Sequence, residues 1–281
     1  MKYFIRIFCL CIAITFFTKQ SCALVKEKNT DAQQGLISYT SFLDYPPFGK
    51  LDKQRQLETI YQPFIDVLSD GNKRSIQYVV EDTYEKAIFE VVSANIHILL
   101  GVYYDTEMYR GIQLLYPSIV NNPIVPVTLP DSDVIITSKS DLEKLKGAID
   151  SREYFSDYVS KELKKLNVQE FDNSEKLYEQ LFIGNIDYIL TSRYYGALEQ
   201  AKMGIRDMVQ MAKTPIWDMP LFIGVSDIEK SKLLQKKVKK IKKILKEQNE
   251  DLREKINRLI VEKIHQADEA SIGVVPPSFV K

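Results

Sequence analysis

The stretch 84-YEKAIFEVVSANIHILLGVY-103 decides the fold class. Residues 84–92 place apolar side chains at helical spacing and are a predicted helix, and residues 96–103 form an apolar run of strand length. Similar patterns precede it, because residues 36–42 and 75–80 are predicted strands and residues 57–68 have the spacing of a helix. Alternating strands and helices joined by short loops indicate an α/β fold with a largely parallel sheet. The binding crevices of such sheets lie beyond the carboxyl ends of the strands.

The alternation continues through the second half of the chain. The apolar patterns predict strands at 124–128, 134–137, 188–191 and 221–225, and helices at 141–147, 154–166 and 174–182. We interpret 124–137 and 216–225 as crossings between two sheets. Two lobes follow from these crossings, with residues 35–127 and 218–281 in lobe 1 and residues 128–217 in lobe 2.

The last part of the chain, from Glu229 onward, predicts two amphipathic helices with a polar break at 246–251. We expect both helices to pack back on lobe 1. Seven lysines between positions 236 and 246 are interpreted as a solvated helix face, without a specific role.

The N-terminus has the pattern of an export signal. Lys2 and Arg6 precede an apolar run at 7–17, and Ser21-Cys22-Ala23 supplies small residues for cleavage. The run is too short to cross a bilayer core of about 30 Å, so we predict a signal peptide over 1–23 and a mature chain beginning at Leu24. A lipid attached at Cys22 is disfavoured by Lys19 three positions earlier. Residues 24–34 are predicted to be a flexible start, and the exported protein is expected in the periplasm.

Composition and charge exclude several classes of function. All three cysteines lie within the signal, so the mature chain has no thiol for a disulfide or a nucleophile. Without Lys2, Arg6 and Lys19, the 38 basic residues become 35 against 38 acids, a net charge of about −3, which argues against a nucleic-acid partner. His97 and His265 are the only histidines, and no phosphate-binding glycine motif occurs. We therefore expect no metal, no cofactor and no catalysis, and no membrane span in the mature chain.

Several short motifs together resemble the extracytoplasmic solute-binding proteins of family 3, the type II periplasmic binding proteins that serve ABC importers. The similarity extends from about Leu36 to Ile260. The motifs are Tyr45-Pro46-Pro47-Phe48, the turn Ser93-Ala94-Asn95-Ile96-His97, the segment Thr106-Glu107-Met108-Tyr109-Arg110, and Leu181-Phe182-Ile183-Gly184-Asn185-Ile186-Asp187-Tyr188. The resemblance implies two α/β lobes joined by two hinge strands, with a ligand bound between them.

The resemblance also implies roles for individual residues. Tyr45 would stack on the ligand, and Arg110 would bind its carboxylate, since a guanidinium meets a carboxylate with two parallel hydrogen bonds. A helix N-terminus near Ser151 would hold the same carboxylate, although Ser151 could instead cap that helix. Aromatic residues near strand ends, namely Tyr103, Tyr104, Tyr194, Tyr195 and Trp217, could line the cleft or pack in the core. The full predicted ligand-binding set is Tyr45, Phe48, Tyr104, Thr106, Arg110, Ser151, Arg152, Ser192 and Trp217.

The chain departs from the family at Ser192. Amino-acid binders of the family have an aspartate there that binds the ligand ammonium. An unpaired ammonium buried in a closed cleft would be costly. Either the ligand lacks a standard α-amino group, or another acid such as Asp44, Glu107 or Asp218 takes the role.

We therefore expect a monomeric exported protein that captures a small polar, carboxylate-bearing molecule, amino-acid-like or an organic acid, and delivers it to the permease of an ABC importer. The resemblance leaves alternatives open. A few relatives of this fold are dehydratases on cyclic acids, and a free-standing ligand sensor or a partner-binding protein would use the same lobes.

Overall fold

The computed structural model describes residues 36–280, apart from 44, 55, 70, 73–74, 105–110 and 227–231. The predicted signal peptide and flexible start lie outside the described residues. The chain from Ile37 onward forms one compact unit. Its strands are β1 (Ile37–Ser41), β2 (Lys50–Leu51), β3 (Leu57–Glu58), β4 (Ile76–Tyr78), β5 (Ile98–Tyr103), β6 (Gln113–Thr128), β7 (Gly147–Asp150), β8 (Val168–Phe171), β9 (Tyr188–Ser192), β10 (Gln210–Met211) and β11 (Trp217–Val225).

The α-helices alternate with the strands over most of the chain, as the sequence predicts. They are α1 (Gln62–Ser69), α2 (Tyr84–Val92), α3 (Lys139–Leu142), α4 (Asp157–Leu163), α5 (Ser174–Phe182), α6 (Arg193–Lys202), α7 (Lys232–Glu247) and α8 (Asn249–Ala270). The predicted α/β class is confirmed.

Two groups of parallel strands flank a central antiparallel pair. In the first group, β1 is parallel to β4 and β5, and in the second group, β7 is parallel to β8 and β9. Each group includes the helices that connect or follow its strands. Between the groups lie β6 and β11, which run antiparallel to each other and join the sheet in the order β4-β1-β5-β11-β6-β9-β7-β8. Parallel neighbours need crossover connections, which here are the helices.

The long strand β6 connects the two parallel groups. Its first half pairs only with β11, and its last residues pair with β9, from Ile124 opposite Ser192 to Val127 opposite Ile189. The pairing of β11 with β6 shifts register between Leu221 and Ile223. Both strands thus run from one group to the other. The division into lobes at 127/128 and 217/218 stays a prediction.

Several predicted elements differ from the structure, among them the helix predicted over 141–147, which is the four-residue α3 (Lys139–Leu142). The helix predicted over 57–68 begins only at Gln62, and Leu57–Glu58 pairs with Lys50–Leu51 as a hairpin. Pro63 explains this start, because proline fits the first helical turn but its ring clashes with the carbonyl four residues earlier. The helix predicted over 154–166 is the shorter α4, whose N-cap is Ser156.

The predicted strand at 134–137 does not form. Ile135 is 78% exposed, and the Thr137 and Ser138 amides donate to the Asp141 carboxylate, 2.9 Å away in each case, which begins α3 instead. The backbone groups used in that cap are the ones a strand would need.

The C-terminal helices differ in their contacts. Helix α7 buries Leu234, Val238, Ile241 and Leu245 and packs against α1, as expected. Helix α8 contacts α1 but also α6, which belongs to the second parallel group. The expected packing of α8 on the first group is present, and its 22 residues, which extend over about 33 Å, also reach α6.

Candidate ligand-binding site

The loop after β1 places Tyr45 between the two parallel groups. Residues 45–49 form a tight turn closed by a backbone bridge from Tyr45 to Gly49. The Tyr45 ring stacks on Phe48 at 5.4 Å and on Tyr195 at 5.3 Å, measured between ring centroids. Because Tyr195 lies on α6, Tyr45 joins the first group to the second and is buried.

A hydrogen-bond network surrounds the Tyr45 hydroxyl. This hydroxyl donates to Oε2 of Glu153 at 3.2 Å and accepts from Nδ2 of Asn122 at 3.2 Å. The same Asn122 amide donates to the Tyr103 hydroxyl at 2.8 Å, and Ser192 Oγ donates to Asn122 Oδ1. Five side chains from β5, β6, β9 and two loops thereby share one buried network, and each makes at least one bond within it.

Glu153 is the acidic member of this network. Its carboxylate accepts from Thr191 Oγ1 and, at 2.8 Å, from the Ser192 amide, in addition to Tyr45. The pKa of Glu153 is raised to about 8, chiefly by burial and also by the nearby Asp150 charge, and the donated hydrogen bonds only partly offset this. The carboxyl group therefore holds a proton over part of the neutral range.

Arg152 and Asp150 form a separate ion pair beside the network. The Arg152 Nε and NH2 groups donate to the two Asp150 oxygens at 2.9 and 2.5 Å, and the Arg152 amide adds a third bond at 2.9 Å. Although burial opposes it, this set of bonds holds the pKa of Asp150 below its usual value. Glu199 lies 3.8 Å from the same guanidinium. The Arg152 charge is thus engaged within the protein.

A cavity of about 520 Å³ opens next to Glu153. Its volume is in the range of pockets that hold small molecules. Four carboxylates line it against one lysine, and Tyr154 and Phe155 form an aromatic wall. The full lining is Glu85, Ile149, Ser151, Glu153, Tyr154, Phe155, Asp157, Ser160, Leu163, Lys164, Leu166, Val168 and Glu170. Because Glu85 belongs to α2, the cavity has walls from both parallel groups.

The predicted site residues fall into three sets. The structure brings Tyr45 and Ser192 together in the buried network, stacks Phe48 on Tyr45, places Arg152 beside the network, and places Ser151 on the cavity wall. Tyr104 is 55% exposed, and Trp217 is buried in the core at the start of β11. Thr106 and Arg110 lie outside the described residues.

Two expectations about this region need correction. Ser151 does not cap the following helix, because Ser156 does so by accepting from the Val159 amide. The expected helix N-terminus near Ser151 is also missing, since α4 begins six residues later.

The acid next to Ser192 is Glu153, which the sequence did not single out. Of the acids proposed from the sequence, Asp44 and Glu107 lie outside the described residues, and Asp218 is exposed and accepts from Asn121 at 2.9 Å. Glu153 follows β7 by three residues, at the carboxyl end where such sheets bind ligands, and this was the available signal. Asn122 was also missed, although it is a fully buried polar residue of β6.

No known family model matches the chain, and no curated relative is detectable. Solved structures are similar. A histidine kinase sensor domain with similarity to periplasmic binding proteins superposes with a TM-score of 0.59 at 13% identity, covering 88% of this chain and all of that one. An ancestral arginine-binding protein bound to arginine gives 0.58 at 20% identity, covering 80% and 98%. The chain has the type II periplasmic binding protein fold. The fold implied by the resemblance is therefore confirmed.

A third structure with the periplasmic binding protein fold is an ancestral amino-acid-binding protein, a precursor of cyclohexadienyl dehydratase. It gives a TM-score of 0.57 at 18% identity, covering 79% of this chain and 96% of that one. In the described part of this periplasmic binding protein fold, no helix combines the length and apolar character of a membrane span. The same residues contain no group of three or more His, Cys, Asp or Glu side chains arranged to hold a metal ion.

Proposed function

We propose that this protein is an exported solute-binding protein that captures a small polar molecule between its two lobes for delivery to an ABC importer. The observation that carries the proposal is the buried contact of Tyr45 with Glu153 and Tyr195, which joins the two parallel groups at the carboxyl ends of their strands. The three similar structures named above are described as amino-acid-binding or as similar to periplasmic binding proteins, which supports the same role.

Capture requires that the ligand favours the closed arrangement of the lobes. Strands β6 and β11 are the connections that would bend, dividing the chain at 127/128 and 217/218. A ligand that contacts both groups stabilises closure in proportion to the contacts it makes only in the closed form. The permease of the importer would then recognise that form.

Glu153 takes the role that the family gives to an aspartate at position 192. It accepts a hydrogen bond from the Ser192 amide, so its carboxylate lies next to position 192. Arg110 remains the proposed partner of a ligand carboxylate. The proposed ligand therefore carries both a carboxylate and an amine. The charged carboxylates of Glu85, Asp157 and Glu170 around the cavity favour a ligand with positive charge.

Proton release accompanies this binding mode. The pKa of Glu153 is about 8 in the ligand-free protein, and a nearby ammonium favours the charged carboxylate. Affinity for an amine ligand should therefore increase as the pH rises toward 8 and then level off. A ligand without an amine should show no such increase.

A thermal-shift screen against amino acids, polyamines and organic acids tests the proposal, because a ligand specific to the folded state raises the midpoint. Titration calorimetry on any hit then compares Glu153→Gln, Arg110→Ala and the exposed control Glu143→Gln. We expect loss of at least tenfold in affinity for the first two, about 1.4 kcal/mol or more, and no change for the control. The proposed site would be contradicted if no compound of any class bound, or if the affinity of every bound compound stayed the same in both variants.

A second candidate function is catalysis of a dehydration on a cyclic acid, and the protonated Glu153 is the observation that favours it. A carboxyl group with a pKa of about 8 can donate a proton to a leaving hydroxyl near neutral pH. Incubation with hydroxylated cyclohexadienyl acids, followed by absorbance of the aromatic product, tests this function. Product formation by the wild type that is abolished in Glu153→Gln would establish catalysis. Unaltered substrate together with saturable binding would support the ligand-binding function instead.

A further inference from the structure

The exposed face of α7 carries a straight row of lysines. The helix contains eight lysines and a single acid, Glu247, while the whole chain has 38 basic and 38 acidic residues. Lys232, Lys236, Lys239, Lys243 and Lys246 are all exposed. Their spacing of four, three, four and three residues places them along one side of the helix, over a length of about 21 Å. Positive charge is therefore concentrated on one strip of a near-neutral protein.

This row points away from the body of the protein. The buried residues of α7 are Leu234, Val238, Ile241 and Leu245, which form the opposite side of the helix and fill the core. At about 100° per residue, the five lysines fall within about 80° of one another and centre on the direction opposite the buried residues. All five ammonium groups can therefore reach one flat surface without any movement of the core.

The neighbouring helix shows that this distribution is not a general property of the surface. Helix α8 mixes acids and bases, and its charges pair one turn apart, as in Lys255 with Asp251 at 3.0 Å and Arg258 with Glu254 at 3.1 Å. Such pairs stabilise a helix, whereas like charges at the same spacing destabilise it. In α7 the only acid is Glu247, and it lies 4.0 Å from Lys243, so a single pair at this spacing offsets the repulsion along the row. The remaining like charges work against helix stability, and an internal structural role does not account for them.

We propose that the lysine row of α7 docks the protein on an anionic lipid surface. A membrane presents charge in a plane, which a straight row of point charges matches, and each lysine near such a surface adds to the attraction. The row has no aromatic residue for stacking on bases and no arginine for bidentate phosphate contacts, so a nucleic acid fits it less well. The apolar side of α7 is buried in the core, so the attachment is electrostatic and reversible. Docking would keep a soluble ligand carrier close to a membrane permease.

Vesicle flotation of the chain beginning at Leu24, which contains the whole compact unit, tests the proposal. We expect binding to vesicles with roughly one-third phosphatidylglycerol but not to phosphatidylcholine alone, and loss of binding in about 1 M NaCl, where the Debye length is about 3 Å. Lys239→Glu with Lys243→Glu should weaken binding more than tenfold, and Lys239→Arg with Lys243→Arg should retain it. Circular dichroism verifies that each variant is folded.

The matched control is Lys144→Glu with Lys176→Glu, which makes the same charge change at exposed positions elsewhere. An equal loss in this control would overturn the proposal, because net charge and not the α7 row would then explain binding. Absence of binding to anionic vesicles, or binding to neutral vesicles, would also overturn it. Displacement from vesicles by duplex DNA at equal phosphate concentration would assign the row to nucleic acid instead.

Discussion

Asp150 and Glu153 are two buried carboxyl groups three residues apart, and they have opposite protonation behaviour. Asp150 is 1% exposed and Glu153 is 7% exposed, so both have lost nearly all contact with water. The pKa of Asp150 nevertheless lies below its usual value, whereas that of Glu153 is raised to about 8.

The difference between them is a cation. Asp150 receives two guanidinium bonds from Arg152, while Glu153 receives only bonds from neutral donors, namely Tyr45, Thr191 and the Ser192 amide. Neutral donors reduce the cost of burying a carboxylate but do not cancel it. One acid is therefore a fixed part of the structure, and the other is left ready for a ligand cation.

The largest effect expected from this comparison is a change in the pH dependence of stability in Glu153→Gln. A carboxyl group whose pKa is raised on folding, here from 4.5 to about 8, contributes stability below pH 4.5 that is lost as the pH rises through 8. The glutamine variant lacks this loss, so its stability relative to the wild type should increase by about 3 kcal/mol between pH 5 and pH 8.5.

Urea denaturation at several pH values measures this difference. The exposed control Glu143→Gln should keep the wild-type dependence on pH. If the free energy of unfolding of Glu153→Gln and of the wild type changed equally with pH, the carboxyl group of Glu153 would be charged throughout this range. Its proposed contrast with Asp150 would then be wrong.

The next effect is the loss of the cation in Arg152→Ala, which leaves the Asp150 carboxylate buried without its charged partner. Breaking a fully buried ion pair costs about 3 to 5 kcal/mol, and we expect about 2 kcal/mol here because the guanidinium is half exposed. The pKa of Asp150 should rise toward that of Glu153. Urea denaturation at pH 7 measures the loss of stability. The control is Arg258→Ala, which breaks an exposed pair with Glu254 and should cost about 0.5 kcal/mol. Equal losses in the two variants would contradict the assigned role.

The sequence predicted the fold well because local patterns carry it. Helices α2 and α5 have the predicted bounds of 84–92 and 174–182, since each combines apolar spacing with a capping residue, Thr83 or Asn173. Pattern alone failed at 134–137, where four residues with strand propensity precede Asp141, whose carboxylate accepts from the backbone amides of Thr137 and Ser138. Whether such a segment forms a strand or caps a helix depends on where the tertiary fold places it, and the periodicity of apolar residues carries no information on that placement.

The site was less predictable than the fold. Tyr45 was singled out because it belongs to a recognisable motif and Ser192 because the chain departs from the family there, and the structure places both in one network. Their contact with a ligand stays a prediction. Glu153 and Asn122 were missed because their importance comes from burial beside groups distant in sequence, 38 residues for Thr191 and 70 for Ser192. A glutamate after a strand is usually exposed, and only the packed structure shows that this one is not.

The smallest effect tests one neutral donor to Glu153. Tyr45→Phe removes the hydroxyl that donates to Oε2 while keeping the ring stacked between Phe48 and Tyr195. The variant also loses the bond from Asn122, but that amide keeps its bond to the Tyr103 hydroxyl, so the net cost should be about 1 kcal/mol. Since the bond to Glu153 favours the charged carboxylate, the pKa of Glu153 should rise and the pH-dependent loss of stability should move to higher pH. Tyr158→Phe, at an exposed position, is the control and should change neither quantity. A loss of stability without movement along the pH axis would mean that Tyr45 supports packing alone. Movement to higher pH would show that neutral donors tune this carboxyl group in small steps, whereas a cation, as at Asp150, decides its charge.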